Sequence, residues 1–309
     1  MAVALPDKGD PKTIYVIDIS SYVFRAYHAL PPLSNSKGEP THAVAGVSSM
    51  LLKLLREHEP HTLIVAMDSK GPTFRKEMFE AYKANRPPAP PDLHQQMLRV
   101  REIVDAWGMT PLEAPGFEAD DIIATLVREA RENGLRVVIV SADKDLLQLV
   151  GDDVVMYDTM RGKVFGPEET IEKFGVEPRQ VRDLLALMGD SSDNVPGVPS
   201  VGQKTAAKLL NEHESLEGIY ENLDSITRKA LKQKLGDHRD DANLSRDLVT
   251  LRDDVPVDAK AVTRAYEGGN TGALRSLFSE LELTRLLAQL DPAPVVEGHY
   301  DTVTDLAGL

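Results

Sequence analysis

Three apolar stretches of the sequence are short enough to be β-strands, and each ends at or just before an aspartate. They are Thr13–Asp18, Thr62–Asp68 and Arg136–Ser141. A strand that is apolar at nearly every position is buried on both faces, which is typical of a parallel sheet covered by helices. Segment 43–58, between the first two stretches, has an apolar face at helical spacing and completes a β-α-β unit. The sequence therefore predicts an α/β fold with a mostly parallel central sheet flanked by helices.

Acidic residues at the ends of these strands are expected to meet, because the carboxyl ends of parallel strands share one edge of the sheet. Three more acids crowd the first turn of a predicted helix at 118–133, and two lie in a Gly/Ser turn. One acid at a helix start is usually a cap, but three exceed what a cap needs. The candidate metal ligands are nine in number: Asp18, Asp68, Glu118, Asp120, Asp121, Asp143, Asp145, Asp190 and Asp193. Oxygen ligands without Cys or clustered His favour Mg²⁺ or Mn²⁺.

The composition limits the classes of function. The chain has 309 residues and no Cys, which excludes disulfides, thiolate zinc sites and a Cys nucleophile. Its start has no apolar signal segment and no apolar run approaches the ~20 residues that span a bilayer, so we expect a cytoplasmic protein without a membrane partner. The net charge of −14 argues against nucleic acid as a partner, unless acids and bases are segregated.

Such a segregation is visible between residues 70 and 86, where five cations face two carboxylates. Phe79, Tyr82, Lys83 and Arg86 have helical spacing, so a helix here would present aromatics and cations on one face. That face suits nucleic acid, and it equally fits a half-buried helix with a solvated basic side. Prolines at 87–91 end this helix, and a second is expected from Asp92 to Trp107. The two helices predict an arch, at about 70–107, over the edge of the sheet.

After about Gly166 the strand pattern stops, and the chain is predicted to be helical up to residue 290. A helix at 181–188, a Gly/Pro hairpin and a helix carrying Lys204 and Lys208 form a helix-hairpin-helix at about 181–212. The hairpin misses a Walker A loop by one position and follows a helix, so we reject nucleotide binding. Free N–H groups at the second helix could hold a backbone phosphate, or the element could serve packing alone. We divide the chain into a flexible start at 1–12, an α/β domain at 13–175, a helical domain at 176–290, and a linker with the start of a following domain at 291–309.

Several motifs in combination resemble a known family. They are Asp18-x-x-Ser-x-x-x-Arg25-Ala-Tyr27, Phe74-Arg75 through Tyr82-Lys83-x-Asn-Arg86, Glu118-Ala-Asp120-Asp121, Ser141-x-Asp143-Lys-Asp145, and Gly189-Asp190-x-x-Asp193-Asn-Val-Pro-Gly197. The chain resembles the 5′-nuclease (flap endonuclease) superfamily from about Ile14 to Leu290, and most closely the N-terminal 5′ to 3′ exonuclease domain of bacterial DNA polymerase I. Two positions depart from the family pattern: Ile19 and Ser200 stand where Gly is usual. The tail from Tyr300 is similar to the start of the domain that follows in such polymerases.

The resemblance implies a PIN-like nuclease core with two divalent ions. The first would be held by Asp18, Asp68, Glu118 and Asp120, and the second by Asp143, Asp145, Asp190 and Asp193, with Asp121 assisting. Lys83, Arg86 and Arg25 would neutralise the scissile phosphate. The implied contacts to DNA are Tyr27, Phe74, Arg75, Phe79, Tyr82, Lys204 and Lys208. A K⁺ ion would bind the backbone carbonyls of Gly197, Val198 and Val201.

The implied reaction is cleavage of DNA near the junction of a 5′ single strand with duplex, in primer removal and repair. The expected partners are DNA with a 5′ flap, nick or 5′ overhang, RNA primer strands and a fused polymerase, and the expected protein is a monomer associated with the nucleoid. Two alternatives remain at this stage. One is a DNA-junction binding module without catalysis, and the other is a PIN-like ribonuclease, against which the arch and the hairpin argue.

Overall fold

The computed structural model describes residues 3–290. The linker and following domain predicted at 291–309 lie outside the described residues, as do the first two residues of the predicted flexible start. None of the helices between residues 3 and 290 has the length and apolar character needed to cross a bilayer.

Six strands form one sheet, which confirms the predicted α/β fold. In chain order they are β1 (Thr13–Asp18), β2 (Thr62–Ala66), β3 (Thr110–Leu112), β4 (Arg136–Val140), β5 (Val154–Asp158) and β6 (Lys163–Phe165). The strand order is β3-β2-β1-β4-β5-β6, and every pair is parallel except β5 with β6. The order reverses between β1 and β4, so the carboxyl ends of these two strands border a crevice where open α/β sheets bind ligands.

Helices cover both faces of the sheet because β1 buries alternate side chains on opposite sides. Ile14 and Val16 pack in the cluster that includes α5 (Ala119–Glu132), and Tyr15 and Ile17 pack in the other cluster. The second face is covered by α1 (Ile19–Ala29), α2 (His42–His58) and α4 (Pro91–Ala106). With β1 buried on both sides, Asp18 at its end is carried into the interior of the crevice, where it is 3 % exposed.

The helix predicted over Phe79–Arg86 is wrong. Helix α3 covers only Phe74–Met78, and residues 79–86 form a series of turns, named here the Lys83 turn. Tertiary contacts override the helical spacing: the Lys83 N–H donates to the Asp193 carbonyl at 2.8 Å, and Asn194 Nδ2 donates to the Ala81 carbonyl at 2.8 Å. Lys83 itself has a positive φ of 54°, which a helix cannot contain.

The second predicted helix of the arch forms as α4, but it does not lie over the sheet edge. Its buried residues Leu93, Val100, Ile103 and Val104 join the same apolar cluster as Leu51 and Leu54 of α2. Helix α4 is therefore part of the layer that covers the sheet. Arg75 of α3 and the Lys83 turn are the parts of segment 70–107 that reach the crevice in the described structure.

The chain after β6 is helical in the part that the structure describes, as predicted. Helix α6 (Pro167–Phe174) is followed by α7 (Val181–Met188), α8 (Gln203–His213), α9 (Leu216–Glu221), α10 (Lys229–Asp237), α11 (Arg239–Val249), α12 (Thr271–Glu280) and α13 (Thr284–Leu290). Leu274 and Phe278 of α12 and Leu286 of α13 are buried in the cluster formed by α2 and α4, so residues 271–290 pack on the α/β layer.

Candidate active site

A cavity of about 240 Å³ opens at the carboxyl ends of β1, β2 and β4. We name it the carboxylate cavity. Seven of the nine predicted ligands line it: Asp18, Asp68, Glu118, Asp120, Asp143, Asp145 and Asp193. Asp190 lies in an adjoining depression, named here the outer cleft, which it lines with Asp143, Asp145 and Asp193. The structure thus brings eight of the nine acids to one edge of the sheet.

Three serines hold the ends of neighbouring strands in place through contacts that were not predicted from the sequence. Asp18 accepts a hydrogen bond from Ser21 N at 3.0 Å as the cap of α1, and a second from Ser141 Oγ, after β4, at 2.8 Å. Ser20 Oγ accepts from Asp68 N at 3.0 Å. These bonds tie the ends of β1, β2 and β4 together, so the carboxylates have fixed relative positions.

The start of α5 points its free N–H groups at the cavity. The Ala119 N–H donates to Asp68 Oδ1 at 2.9 Å. Asp120, on the first turn, is close enough to four other acids for their charges to act on it. A helix N-terminus favours negative charge, which partly offsets this crowding.

Burial and repulsion from neighbouring carboxylates raise the pKa values of Asp18, Asp120 and Asp145. Burial raises the pKa of Asp18 to about 7, with the charges of Asp68 and Asp143 adding to it against the Ser21 and Ser141 hydrogen bonds. Burial, reinforced by Asp143, raises the pKa of Asp145 to about 7. The pKa of Asp120 is raised well above its usual range for the same reasons. Ionising all of them together is costly, and a bound cation would remove that cost.

The donors of the site fit a divalent cation. Asp145 Oδ1 is buried and has no hydrogen-bond partner in the described structure, so its lone pairs remain available to coordinate a metal ion. The other donors are carboxylate oxygens, which Mg²⁺ and Mn²⁺ prefer. Among residues 3–290, no three acidic or histidine side chains already surround one point as metal ligands. Binding would therefore require these side chains to rearrange locally.

Basic side chains currently pair with several of these acids. Lys83 Nζ lies 2.7 Å from Glu118 Oε1 and 3.7 Å from Asp193 Oδ2, and Arg86 also pairs with Asp193. Burial opposes the charge on Lys83, but Glu118 and Asp193 outweigh it and raise the pKa of the ammonium group. Lys144, which the sequence analysis did not single out, pairs with Asp190. The cavity therefore has an acidic floor and a basic rim.

Arg25 lies on this rim as well. It forms two hydrogen bonds with the buried carboxylate of Asp158, at 3.2 and 3.3 Å, and it lines both the carboxylate cavity and the outer cleft. The adjacent Phe24 is 39 % exposed and lines the carboxylate cavity. Phe24 was not predicted as a site residue, because an aromatic side chain on an amphipathic helix is usually part of the core.

The prediction of Asp121 as a metal ligand and of Arg75 as a DNA contact is contradicted. Asp121 is 0 % exposed and Arg75 is 1 % exposed, and they form a bidentate ion pair with both N···O distances at 2.7 Å. The Arg252 N–H, at 2.9 Å, and the Glu118 N–H, at 3.1 Å, complete the shell of Asp121. Arg75 also donates hydrogen bonds to the carbonyls of Leu248 and Thr250 and to the carboxylate of Glu118. This pair joins α3, α5 and the end of α11.

Of the four aromatic residues predicted to contact bases, Tyr82 is buried and Tyr27, Phe74 and Phe79 are half-buried. Tyr82 is 6 % exposed and donates to Glu118 Oε2 at 3.1 Å, so its ring is not available for stacking. Phe79 packs against the core cluster. The ring of Phe74 is in contact with the guanidinium of Arg75, 4.5 Å from its centroid. Tyr27 packs against His42, with 4.8 Å between centroids, and donates to Asp92. The structure contradicts base stacking by Tyr82; for Tyr27, Phe74 and Phe79 a role as a steering contact stays a prediction.

The predicted hairpin forms between α7 and α8. Gly197 has φ +61°, and a Cβ atom there would lie 2.4 Å from Gly189 N, so the turn requires glycine. The Gly197 N–H donates to Ser245 Oγ and the Val198 N–H to the Leu187 carbonyl, both at 2.8 Å. Val201 lies in the same turn, through a bond from its N–H to the Val198 carbonyl. Binding of K⁺ to these carbonyls stays a prediction.

Lys204 and Lys208 are exposed on the first turns of α8, as predicted. They line a groove between α6 and α8, named here the α6/α8 groove. Its remaining lining residues are Glu172, Lys173, Phe174, Gly175, Gln203, Ala207, Asn211 and Glu212. The two lysines therefore lie beside the hairpin on a face open to a ligand.

Two family models match the chain and together cover residues 13–271. The model described as "5'-3' exonuclease, N-terminal resolvase-like domain" matches residues 13–175, and that described as "5'-3' exonuclease, C-terminal SAM fold" matches residues 176–271. The chain belongs to the 5′-3′ exonuclease family. The resemblance found in its motifs is thereby confirmed.

Curated relatives of this family include both long and short proteins. The 5′-3′ exonuclease of Aquifex aeolicus is 40% identical over 280 residues, covering 91% of this chain and 96% of that protein. DNA polymerase I of Bacillus subtilis is 40% identical over 283 residues, covering 90% of this chain but only 32% of the polymerase. The chain thus spans about a third of the length of that polymerase and nearly all of the short exonuclease.

Solved structures share the fold at low sequence identity. T5 5′-exonuclease, in a structure with bound divalent metal ions (zinc), aligns with a TM-score of 0.63 at 21% identity over 90% of this chain and 98% of that one. The catalytic core of Rad2 in complex with DNA substrate aligns with a TM-score of 0.63 at 16% identity over 92% of this chain and 93% of that one. These likenesses establish the PIN-like core and the helical second part.

Proposed function

We propose that the chain is a structure-specific 5′ nuclease that hydrolyses DNA phosphodiesters near a 5′ single-strand/duplex junction. The observation that carries the proposal is the carboxylate cavity at the point where the strand order reverses, with a basic rim directly above it. Membership of the 5′-3′ exonuclease family supports it. So does the shared fold with T5 5′-exonuclease, solved with divalent ions, and with Rad2, solved with DNA substrate.

The cofactors we propose are two Mg²⁺ or Mn²⁺ ions. Asp18, Asp68, Glu118 and Asp120 would hold the first, and Asp143, Asp145, Asp190 and Asp193 the second. Bound ions would lower the pKa of an attacking water and stabilise the charge that develops on the phosphate. Asp121 is omitted from this set because its oxygens are fully engaged by Arg75 and two backbone N–H groups.

The residues of the Lys83 turn would bind the reacting phosphate. Lys83 and Arg86 now neutralise Glu118 and Asp193. Once those carboxylates are engaged by a cation, the ammonium and guanidinium groups lose their partners and can turn toward a phosphate oxygen in the same cavity. Because the turn is anchored by backbone bonds to residues 193 and 194, its cations stay at the rim during this exchange. Their contribution would be greatest in the transition state, where phosphate charge increases.

Further parts of the proposal extend beyond the cavity. We propose that Lys204 and Lys208 bind duplex backbone, that K⁺ binds at the hairpin carbonyls, and that RNA primer strands are also cut. We also propose that the protein acts as a monomer in the cytoplasm, near the nucleoid. A polymerase fused to this region would place the nuclease in primer removal and repair.

Cleavage of a labelled 5′-flap duplex tests the proposal. We expect cutting near the junction with Mg²⁺, none in EDTA, and a loss of at least about 100-fold in Asp143→Asn, since the substitution keeps the side-chain shape but removes a ligand charge. Asp152→Asn, an exposed acid outside the cavity, is the matched control and should cut normally. Absence of cutting by the intact chain would contradict the proposal, and tight binding without cutting would favour a junction-binding module. Preferential cutting of single-stranded RNA would favour a ribonuclease.

A further inference from the structure

Lys173, in the last turn of α6, lies between the candidate active site and the hairpin helix α8. It lines the outer cleft together with Asp143, Lys144 and Asp190, and it also lines the α6/α8 groove together with Lys204 and Lys208. It is the one residue common to the linings of these two depressions in the described structure. The surface therefore runs from the acidic cavity to the lysines of α8 past the side chain of Lys173.

The position of Lys173 is fixed by contacts between α6 and α8. Gln203 Nε2 donates to the Lys173 carbonyl at 2.6 Å, and Asn211 Nδ2 donates to the Gly175 carbonyl at 2.8 Å. A Cβ atom on Gly175 would lie 3.3 Å from Ala207 Cβ, so the two helices approach closely at this point. Lys173 therefore keeps a constant position relative to the lysines of α8.

The exposed side chain of Lys173 lies near two aromatic rings and several other cations. Its ammonium lies 5.1 Å from the ring centroid of Phe165 and 5.3 Å from that of Phe174. Burial, together with the charges of Arg161, Lys144 and Lys163, lowers the pKa of Lys173, while Asp143 opposes the shift. Grouped cations repel one another, and a phosphate among them would relieve that repulsion.

We propose that Lys173 is a positioning residue that binds a backbone phosphate of the DNA between the reacting phosphate and the phosphate held at α8. This proposal rests on the proposed function. A phosphate contact at this position would hold the stretch of DNA backbone that lies between the hairpin and the carboxylate cavity. It carries no sequence information, because phosphates are identical at every step. Lys173 takes no part in bond breaking.

The test is binding of a fluorescent 5′-flap duplex to the full chain in EDTA, measured by anisotropy over a series of KCl concentrations. We expect Lys173→Ala to raise Kd by about tenfold at low salt. We also expect the slope of log Kd against log salt to fall by about 0.9, the value for one lost phosphate contact. Lys173→Arg should restore both quantities. Lys53→Ala, an exposed lysine of α2 that lines neither depression, should match the unsubstituted chain.

Single-turnover cleavage at saturating enzyme separates positioning from chemistry. With Mg²⁺, the rate of Lys173→Ala should stay within about twofold of the unsubstituted chain, because the bound complex is complete. An unchanged salt slope would overturn the proposal, and so would a large loss of the saturated rate with normal Kd. If the unsubstituted chain bound the flap but did not cut it, the proposed function would fail while the salt slope still decided the role of Lys173.

Discussion

Asp120 and Asp121 are adjacent, chemically identical acids at the start of α5, and the structure predicts opposite consequences for removing their charges. Asp121 pairs with the buried guanidinium of Arg75, whereas Asp120 lines the carboxylate cavity. We consider the two isosteric substitutions Asp121→Asn and Asp120→Asn. Each removes one negative charge and keeps the volume of the side chain.

Asp121→Asn should destabilise the protein strongly. It leaves Arg75, which is 1 % exposed, without its buried counter-charge. Breaking a buried ion pair by neutralising one partner costs about 3–5 kcal/mol, and the amide retains part of the hydrogen bonding, so we expect about 3 kcal/mol. For a chain of this size the melting temperature should fall by roughly 6–12 °C. Cleavage per folded molecule should remain near normal below that temperature.

Asp120→Asn should have the reverse effect. Burial and the charges of Asp143, Asp18, Asp68 and Glu118 all disfavour its ionised form. Replacing it by a neutral amide removes repulsion, so the melting temperature in EDTA should be unchanged or higher. The loss of a proposed metal ligand should reduce Mg²⁺-dependent cleavage by at least about 100-fold.

The assay combines thermal unfolding in EDTA with single-turnover cleavage of a 5′-flap duplex at 25 °C. A normal melting temperature with lost cleavage in Asp121→Asn would refute the structural role assigned to the Arg75–Asp121 pair. A strongly destabilised Asp120→Asn that still cuts would refute the assignment of Asp120 to the cavity. Either result would mean that the structural role assigned to Asp121 or the cavity role assigned to Asp120 is wrong.

Three further predictions concern pH, the rim and the hairpin. Asp18 and Asp145 have folded-state pKa values of about 7, above the ordinary value of ~3.9, so the metal-free folded state binds more protons than the unfolded state and should lose stability as pH rises from about 4 through 7. The melting temperature in EDTA should therefore be lower at pH 8 than at pH 6, and Mg²⁺ should remove this difference. A higher melting temperature at pH 8 would contradict the burial of these charges. Lys83→Ala should slow single-turnover cleavage by about 100-fold or more while changing Kd for DNA only a few-fold. Substitution of the exposed Lys70 by Ala is the control and should leave the cleavage rate normal. An unchanged cleavage rate in Lys83→Ala would exclude Lys83 from the reaction. Gly197→Ala should lower the free energy of unfolding by roughly 2–4 kcal/mol, because the added Cβ would lie 2.4 Å from Gly189 N. The control Gly202→Ala places its Cβ where nothing lies within 4 Å, so it should keep the normal melting temperature. Equal melting temperatures for the two variants would count against the hairpin geometry.

Features set by local sequence pattern were predictable. The apolar runs of β1, β2 and β4 are typical of buried strands. Because the carboxyl ends of parallel strands lie at one edge of the sheet, Asp18, Asp68 and Asp143 are expected to lie together. The same reasoning locates α5 and the hairpin. These inferences need only the order of residues along the chain and the periodicity of strands and helices.

Features set by distant contacts were not predictable in the same way. The spacing of Phe79, Tyr82, Lys83 and Arg86 favours a helix, but bonds from the loop at 193–194 impose turns instead. Burial of Arg75 depends on carbonyls that follow it by more than 170 residues. Lys173 becomes notable only once α6 and α8 are seen to be packed together.

For Asp121 the sequence did hold a usable signal. Glu118 is the residue before α5 and Asp121 is its third position, and the Asp121 carboxylate accepts a hydrogen bond from the Glu118 N–H at 3.1 Å. An acid at the third helical position can accept a hydrogen bond from the residue before the helix, which is one half of a capping box and commits that acid to the backbone. Weighing that pattern against metal binding would have separated Asp121 from Asp120.

The most direct test of the central claim is a crystal structure of the chain grown with Mn²⁺, with the ions located by anomalous scattering. We expect strong peaks inside the carboxylate cavity and the outer cleft, with Asp121 still bound to Arg75. The peaks should lie within about 2.2 Å of carboxylate oxygens from both proposed ligand sets. Peaks on other surfaces, with the cavity acids still paired to Lys83 and Lys144, would contradict it.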